Sequence, residues 1–256
     1  MKGAAQGLKP CAHASLSALE RLLQPEFLKA ACHEFYAAKE ADSACLSGFV
    51  LGLAALSGGN RPLLWVHHER LSAKTGELYP LGVQELGVDP ERLITLRAND
   101  APSVLQAGLE GAHCPALGAV ILTFWGENKA FDLTSSRRLA LAAKASQLPI
   151  LLIRMAALDQ PSAAESRWRV ASAPSRPLAA NAPGLPAFSL TLLRHRAGLA
   201  PGTWHVEWNR DRQHFEPFSP ALKTIAAPPL SRPLPPLSVL RTAEPDQAPL
   251  AFSRVG

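Results

Sequence analysis

Apolar runs of strand length alternate with longer segments of helical character along the first 155 residues. These runs contain few polar positions, which is typical of parallel strands that are buried on both faces. The strand candidates are "CHEFYAA", "PLLWVHH", "LITLRA", "LGAVILTFW" and "LPILLIRM". Helices are predicted at "DSACLSGFVLGLAAL", "LYPLGVQELGV", "SVLQAGLEGAH" and "DLTSSRRLALAAKAS", the last with Asp132 or Thr134 as its cap. The alternation predicts an α/β fold with a doubly wound, mostly parallel sheet.

The pattern changes near residue 165, where strands follow one another without intervening helices. The segments "SRWRVASA", "FSLTLLRHRAG" and "GTWHVEWN" predict a β-meander added to the edge of the sheet. From Pro217 the chain is rich in proline, with "PPLSRPLPPL" at its centre, and this composition predicts an extended tail. We therefore divide the chain into a flexible segment 1–14, a domain 15–216 and a tail 217–256.

The tail carries more apolar residues than an inert linker needs, among them Leu234, Leu237 and Leu240. An extended segment with apolar anchors is suited to folding on a partner. We expect "LPPLSVLR" to be the central anchor for such a partner. The alternative, which the sequence leaves open, is that the tail packs along the domain itself.

Composition restricts the class of protein. With 47% hydrophobic and 18% charged residues among 256, the chain has the composition of a globular protein. We expect no membrane span and no secretory leader, because the apolar runs are short and the N-terminus lacks a continuous apolar stretch. The four cysteines are widely spread and no Cys-x-x-Cys occurs, which favours reduced thiols in a cytoplasmic protein. His67 and His68 with Glu69 could suggest a metal, but adjacent residues on a strand point to opposite faces, so the histidine pair cannot chelate jointly without a bend and no metal site is predicted there.

Charge is unevenly distributed between the two halves. Residues 1–128 carry 10 Lys and Arg against 13 Asp and Glu, hence −3, whereas residues 129–256 carry 16 against 8, hence +8. A basic half suggests an anionic partner, either nucleic acid or an acidic protein surface. A merely solvated arginine-rich surface explains the same numbers.

The stretch "EFYAAKEADSACL" at 34–46 joins the first strand to the first long helix, which is the setting of a phosphate-binding P-loop. Such a loop needs glycines, so that its N–H groups face the phosphate, and a Lys followed by Ser or Thr. This stretch contains no glycine, and no Gly-Lys-Ser/Thr triplet occurs in the chain. The setting of a nucleotide site is therefore present without its chemistry.

The order of elements over residues 15–210 resembles the core of the recombinase RecA. The resemblance rests on "EFYAAKEADSACL" at the P-loop, "LLWVHHE" at the second strand, "LGVDPERLI" before the third and "GAVILTFW" at the Walker B strand. The segments "DLTSSRRLALAA", "PSAAESRWRV" and "GTWHVEWNRD" resemble the ImuA family more closely, a RecA-like family of damage-inducible mutagenesis cassettes. The cell-division inhibitor SulA is a more distant relative of the same degenerate type.

The resemblance implies that most nucleotide-binding positions have been replaced. Ser43 stands at the P-loop Lys, Ala44 at the Mg²⁺-binding hydroxyl, Ala37 and Asp42 at glycines, Thr123 at the Walker B Asp, and Arg154 with Met155 at the γ-phosphate sensor. The carboxylate of Asp42 would repel a phosphate. Only Glu69, at the position of the water-activating glutamate, is retained. The resemblance thus implies no ATPase activity, no cofactor and no metal, the alternative being a divergent ATPase that uses Glu69.

The resemblance also implies partners. ImuA-type proteins associate with ImuB, an inactive Y-family polymerase homologue, and through it with an error-prone C-family polymerase in SOS-linked translesion synthesis; RecA is a further candidate. A SulA-like inhibitor would instead bind the division protein FtsZ. The two segments at the DNA-binding loops of RecA are short or lack glycine, so DNA contact is expected to be weak. Candidate contact residues are Arg137, Arg138, Arg167, Arg169, Trp204 and Trp208, and Ser162 and Ser166 beside Arg167 form either an anion pocket or a capped turn.

Overall fold

The computed structural model describes Leu19 and residues 23–69, 74–179 and 182–219. The strands are β1 Cys32–Ala37, β2 Leu63–His68, β3 Leu93–Ala98, β4 Ala119–Trp125, β5 Ile150–Met155, β6 Ser166–Ser172, β7 Ala187–His195, β8 Gly202–Asn209 and β9 His214–Pro217. The helices are α1 Pro25–Leu28, α2 Ser43–Gly58, α3 Pro80–Glu85, α4 Ala101–Ala112 and α5 Leu133–Ser146. Single 3-10 turns precede α2, at Glu40–Asp42, and β3, at Pro90–Arg92.

The nine strands of the described residues form one sheet in the order β3-β2-β4-β5-β1-β6-β7-β8-β9. The pairings among β1 to β5 are parallel, while β6 to β9 pair with one another in antiparallel fashion. The predicted mostly parallel α/β sheet with a C-terminal meander is therefore confirmed.

Two details differ from the prediction. β6 begins the meander but pairs in parallel with β1, so it belongs to both parts of the sheet. The meander also contains a fourth strand, β9, which ends at Pro217, and the buried Phe218 follows it. A proline is tolerated there because β9 is the edge strand and needs no further donor. The predicted tail anchors Leu234, Leu237 and Leu240 lie outside the described residues.

Helices cover both faces of the sheet and give the domain two apolar cores. α2 packs on one face with Trp65, Ile121, Ile153 and the meander, and α4 and α5 pack on the other with Val66, Leu122 and Leu152. The stretch Glu40–Gly58 is long and apolar enough to cross a membrane, but most of it is buried inside the fold. A central core helix has the same composition, because it is apolar around most of its circumference.

Gly52 brings α2 into direct contact with the meander. A Cβ at this position would lie 2.8 Å from Phe215 and 3.2 Å from Trp208. The Trp208 indole N–H also donates to the carbonyl of Glu85, at 2.9 Å, which attaches β8 to the end of α3. The meander is therefore part of the core on the α2 face.

The start of α5 follows the prediction. Asp132 accepts a hydrogen bond from the N–H of Ser135, and the Ser135 hydroxyl accepts one from the N–H of Asp132, which is a capping box. These two bonds fix the first turn of α5, in which Ser136 is fully buried and accepts a hydrogen bond from the N–H of Ala163.

Candidate functional site

In the loop between β1 and α2, backbone N–H groups donate to carbonyls of the protein itself. The N–H of Ala38 donates to the carbonyl of Val170, and that of Asp42 donates to Lys39, both at 2.9 Å. The N–H of Ser43 donates to Glu40 within the 3-10 turn. Three amides of the loop are thus bound to carbonyls of the protein, whereas a P-loop directs its amides at a phosphate.

Two side chains of this loop, those of Asp42 and Ser43, are also buried against the protein. Asp42 is buried, and its Oδ1 accepts bonds from the N–H and the hydroxyl of Ser172, at 3.0 and 2.8 Å. The Ser43 hydroxyl donates to the Glu40 carbonyl at 2.7 Å. Asp42 was expected to repel a phosphate in the loop, but its carboxylate instead ties the loop to the end of β6.

A cavity of about 600 Å³ lies beside this loop, at the carboxyl ends of β2, β4 and β5 and under α3. Ser43, Ala44, Thr123 and Met155 all line it, so the structure brings these four predicted positions together. The remaining walls are largely apolar and include Leu51, Trp65, Leu78, Val83 and Leu86. Cavities of this size at the carboxyl ends of parallel strands are usual ligand sites in α/β proteins.

The cavity is poor in positive charge. Its one cation among the described lining residues is Arg97, which is paired with Glu77 at 2.9 Å. His67 is buried in the wall, and burial lowers its pKa, so it is neutral at pH 7. Thr123 is fully buried, and its hydroxyl has no hydrogen-bond partner among the described residues. A triphosphate entering this cavity would find no free cation to neutralise it.

Other predicted positions lie elsewhere. Glu69 directly follows β2 and is exposed, and neither it nor Ala37 lines the cavity. Arg154 points to the opposite face of the sheet from Met155, because neighbouring residues on a strand alternate. Its guanidinium is buried over the ring of Phe131, 4.3 Å from the centroid, and burial lowers the pKa of Arg154. The implied sensor pair is therefore split, and only Met155 faces the cavity.

Arg167 is a buried ion-pair partner and not a surface contact. Its Nε lies 3.1 Å from Glu34, which is completely buried on β1, and its Nη1 lies 3.6 Å from Asp159. Its Nη2 donates to the hydroxyl of Ser162 at 3.1 Å. An anion pocket at this place is wrong, because two carboxylates already neutralise Arg167. Sequence reasoning missed Glu34, although a glutamate inside the apolar run "CHEFYAA" was the signal.

Ser166 and the tryptophans also belong to the interior. Ser166 bonds with His33, at 2.6 Å, and accepts from the indole N–H of Trp168 at 2.7 Å. Trp204 and Trp208 share a face as predicted, but both are buried, and Trp208 packs edge-on against Phe215. Platforms for nucleic-acid bases must be exposed, so Trp204 and Trp208 do not serve that role in this structure.

Three of the predicted contact residues are exposed: Arg137, Arg138 and Arg169. Within the described part of the chain, no group of three His, Cys, Asp or Glu side chains is placed to hold a metal ion. Cys32, Cys45 and Cys114 are free thiols, and Cys11 lies outside the described residues.

Comparison with known proteins shows likeness to a sequence relative, found in two strains, and to solved structures that include a recombinase. The chain is 31% identical over 189 residues to Protein ImuA of Caulobacter vibrioides, strains NA1000 / CB15N and ATCC 19089 / CIP 103742 / CB 15. That match spans 70% of this chain and 72% of the relative. No family model matches. The crystal structure of the RadB recombinase aligns with a TM-score of 0.51 at 14% identity, over 75% of this chain and 92% of RadB. At that identity the likeness shows the fold, which is RecA-like.

Proposed function

The chain belongs to the ImuA family, and from that premise we propose that it is a non-catalytic RecA-like protein of damage-inducible mutagenesis that acts by binding other proteins. The observation that carries the non-catalytic part is the closed loop at residues 38–43. Three of its amides, those of Ala38, Asp42 and Ser43, and the Ser43 hydroxyl donate to carbonyls of the protein, so they are not directed at a phosphate. The adjoining cavity supports the same proposal, because its cation Arg97 is already paired with Glu77.

Calorimetry with Mg-ATP and a phosphate-release assay test the loss of nucleotide chemistry. We expect no specific binding and no release of phosphate by the wild-type protein. The variant Glu69→Gln is the matched control, since a divergent ATPase that uses Glu69 as its base would lose activity on this substitution. A micromolar, Mg²⁺-dependent isotherm together with hydrolysis that Glu69→Gln abolishes would show that the protein is an enzyme.

The partners we propose are an ImuB-type inactive Y-family polymerase homologue and, with it, an error-prone C-family polymerase or RecA, in the cytoplasm. Purification of the tagged protein from DNA-damaged cells of its own host, followed by mass spectrometry, tests this. Recovery of polymerase-like proteins above an untagged control supports the proposal. Recovery of FtsZ without them would support the SulA-like alternative of a cell-division inhibitor.

Direct contact with DNA is proposed to be weak and electrostatic. The exposed arginines Arg137, Arg138 and Arg169 supply charge but no aromatic platform. Affinity for a fluorescent single strand should therefore fall steeply with added salt, as counterion release requires. Tight binding that is insensitive to salt would contradict this part of the proposal.

A further inference from the structure

A basic groove runs between α5 and the end of β7, away from the cavity under α3. Its volume is about 670 Å³, and its floor is formed by Pro161, Ser162, Ala163 and Glu165 of the segment 161–165. Four cations line it: Arg137 and Lys144 from α5, and Arg194 and Arg196 from β7 and the turn after it. The residues Ala30, Ala31 and Cys32 close one side.

The positive charge of the basic groove is only partly compensated within the described part of the chain. All four cations are exposed, and none of them is ion-paired there. One carboxylate, Glu165, lines the same groove, which leaves an excess of three positive charges. Arg194 and Arg196 each donate to a carbonyl of the floor, at 3.5 and 3.1 Å, but a carbonyl carries no net charge.

The same groove carries two exposed leucines. Leu133 and Leu141 are 51% and 61% exposed, and both belong to its lining. They are spaced four residues on either side of Arg137, so the three side chains follow one face of α5. At 1.5 Å per residue the two leucines are separated by about 12 Å along the helix axis. A stripe of apolar, basic and apolar side chains therefore borders the groove.

The floor of the groove is held in place before any partner binds. The N–H of Ala163 donates to the hydroxyl of Ser136 on α5, at 3.1 Å. The neighbouring Ser162 accepts from the buried Arg167, and Arg196 holds the carbonyl of Ala163. A groove that is fixed in this way loses little conformational freedom on binding.

Charge and apolar surface together select the kind of partner. Nucleic acid would be attracted to the four cations, but its phosphate backbone makes no use of two exposed leucines. An amphipathic protein helix that carries both carboxylates and leucines would satisfy both features, since grooves bind such helices through anchors at spacings of three and four residues.

We propose that the basic groove docks an acidic, leucine-containing helical segment of a protein partner. The proposal deepens the proposed function and rests on it only in taking the partner to be a protein. Arg137 and Arg194 pair with carboxylates of that segment, and Leu133 and Leu141 cover its apolar side chains.

The test uses a fluorescently labelled helical peptide of about 16 residues, long enough for four turns and composed of glutamate and leucine. Fluorescence anisotropy at low salt measures its binding to the full-length protein. We expect R137E/R194E to weaken binding about tenfold or more. The matched control R138E/R169E makes the same charge change at two exposed arginines outside the groove, and binding should change by less than about threefold.

The variant L133A/L141A separates a peptide site from a purely electrostatic one. It leaves the charge unchanged, and we expect it to weaken the peptide several-fold. All substituted residues are exposed, and a thermal melt of each variant checks that folding is intact. The proposal is overturned if the wild type does not bind the peptide, if both arginine pairs weaken it equally, or if L133A/L141A binds normally. Tighter binding of a DNA duplex of similar length, lost in R137E/R194E, would overturn it in favour of nucleic acid.

Binding of the ImuB-type protein to the wild type and to R137E/R194E then tests this inference separately from the proposed function. If the partner binds wild type and R137E/R194E equally, the groove assignment fails and the proposed function stands. If the peptide binds in the groove but the ImuB-type protein does not bind at all, the groove assignment stands and the proposed partner is wrong.

Discussion

At the scale of single residues, Thr123 places a hydroxyl in the core without a hydrogen-bond partner among the described residues. Replacing it with valine keeps its shape and removes the unpaired group, so Thr123→Val should raise the free energy of unfolding by about 1 kcal/mol in urea denaturation. Thr191→Val is the control, and it should lower the free energy of unfolding, because the Thr191 hydroxyl bonds with Thr203 at 3.1 Å. Destabilisation by Thr123→Val would contradict the unpaired state of this hydroxyl.

Glu34 supplies the carboxylate that neutralises the buried guanidinium of Arg167. Glu34→Gln leaves Arg167 with only the half-exposed Asp159 as a carboxylate partner, and unpaired buried charge is costly. Urea denaturation should show a loss of about 3 kcal/mol in the free energy of unfolding. The control Glu77→Gln breaks an exposed pair with Arg97 and should cost less than about 1 kcal/mol. Equal losses in the two variants would show that Glu34 is solvated.

His33 makes stability depend on pH. Burial lowers its pKa from 6.5 to about 4, so the unfolded chain binds a proton that the folded protein excludes. The stability from neutral His33 is therefore complete above pH 6.5 and is lost as pH falls from 6.5 to 4. The loss amounts to about 3 kcal/mol, at 1.36 kcal/mol per pKa unit.

Unfolding free energies measured by urea between pH 7 and pH 4 check this prediction. His33→Gln should flatten the curve in that window relative to wild type. His113→Gln, at an exposed site, should leave the slope unchanged. A wild-type curve without a decline below pH 6.5 would contradict the buried neutral state of His33.

At the scale of elements, alanine should have opposite effects on stability at two glycines of α2. Gly52→Ala inserts a Cβ only 2.8 Å from Phe215, so α2 and the meander must separate, at a cost of about 1–3 kcal/mol. At Gly48 the nearest atom is 3.6 Å away, on Leu86, so Gly48→Ala should stabilise by about 0.5–1 kcal/mol through helix propensity. Urea denaturation of both variants measures the contrast. Stabilisation by Gly52→Ala would show that the meander does not press on α2.

At the scale of the whole molecule, the contacts of Phe218 predict where the chain can be shortened without loss of stability. Phe218 is buried, its N–H donates to the carbonyl of His205 at 3.0 Å, and its ring lies 6.1 Å from that imidazole. A chain ending at Ser219 should therefore melt several degrees above one ending at Glu216, because the shorter chain lacks Pro217 and Phe218. Identical melting temperatures would place Phe218 outside the cooperative unit.

The chain ending at Ser219 also tests the tail. The docking role of the tail stays a prediction. If the chain ending at Ser219 is folded but loses the ImuB-type partner, the tail is a docking segment. If it aggregates, the tail belongs to the core. Full partner binding by the shortened chain would contradict a docking role for Leu234, Leu237 and Leu240.

Local features were predictable from the sequence. The order of strands and helices follows from apolar runs and their lengths, which are properties of neighbouring residues. The cap at Asp132 also depends on residues within one turn. The absence of the P-loop Lys was equally visible, because the resemblance places Ser43 at that position and Ala44 at the position of the Mg²⁺-binding hydroxyl.

Only the tertiary structure decided which distant residues meet. The pairing of Glu34 with Arg167 joins residues 133 positions apart, and it depends on β6 lying parallel beside β1. Met155, and not Arg154, faces the cavity, and this choice depends on the register of β5 in the sheet. The basic groove likewise combines α5, the segment 161–165 and β7. Sheet order and register are set by packing over the whole domain, and a sequence pattern reports only periodicity within each element.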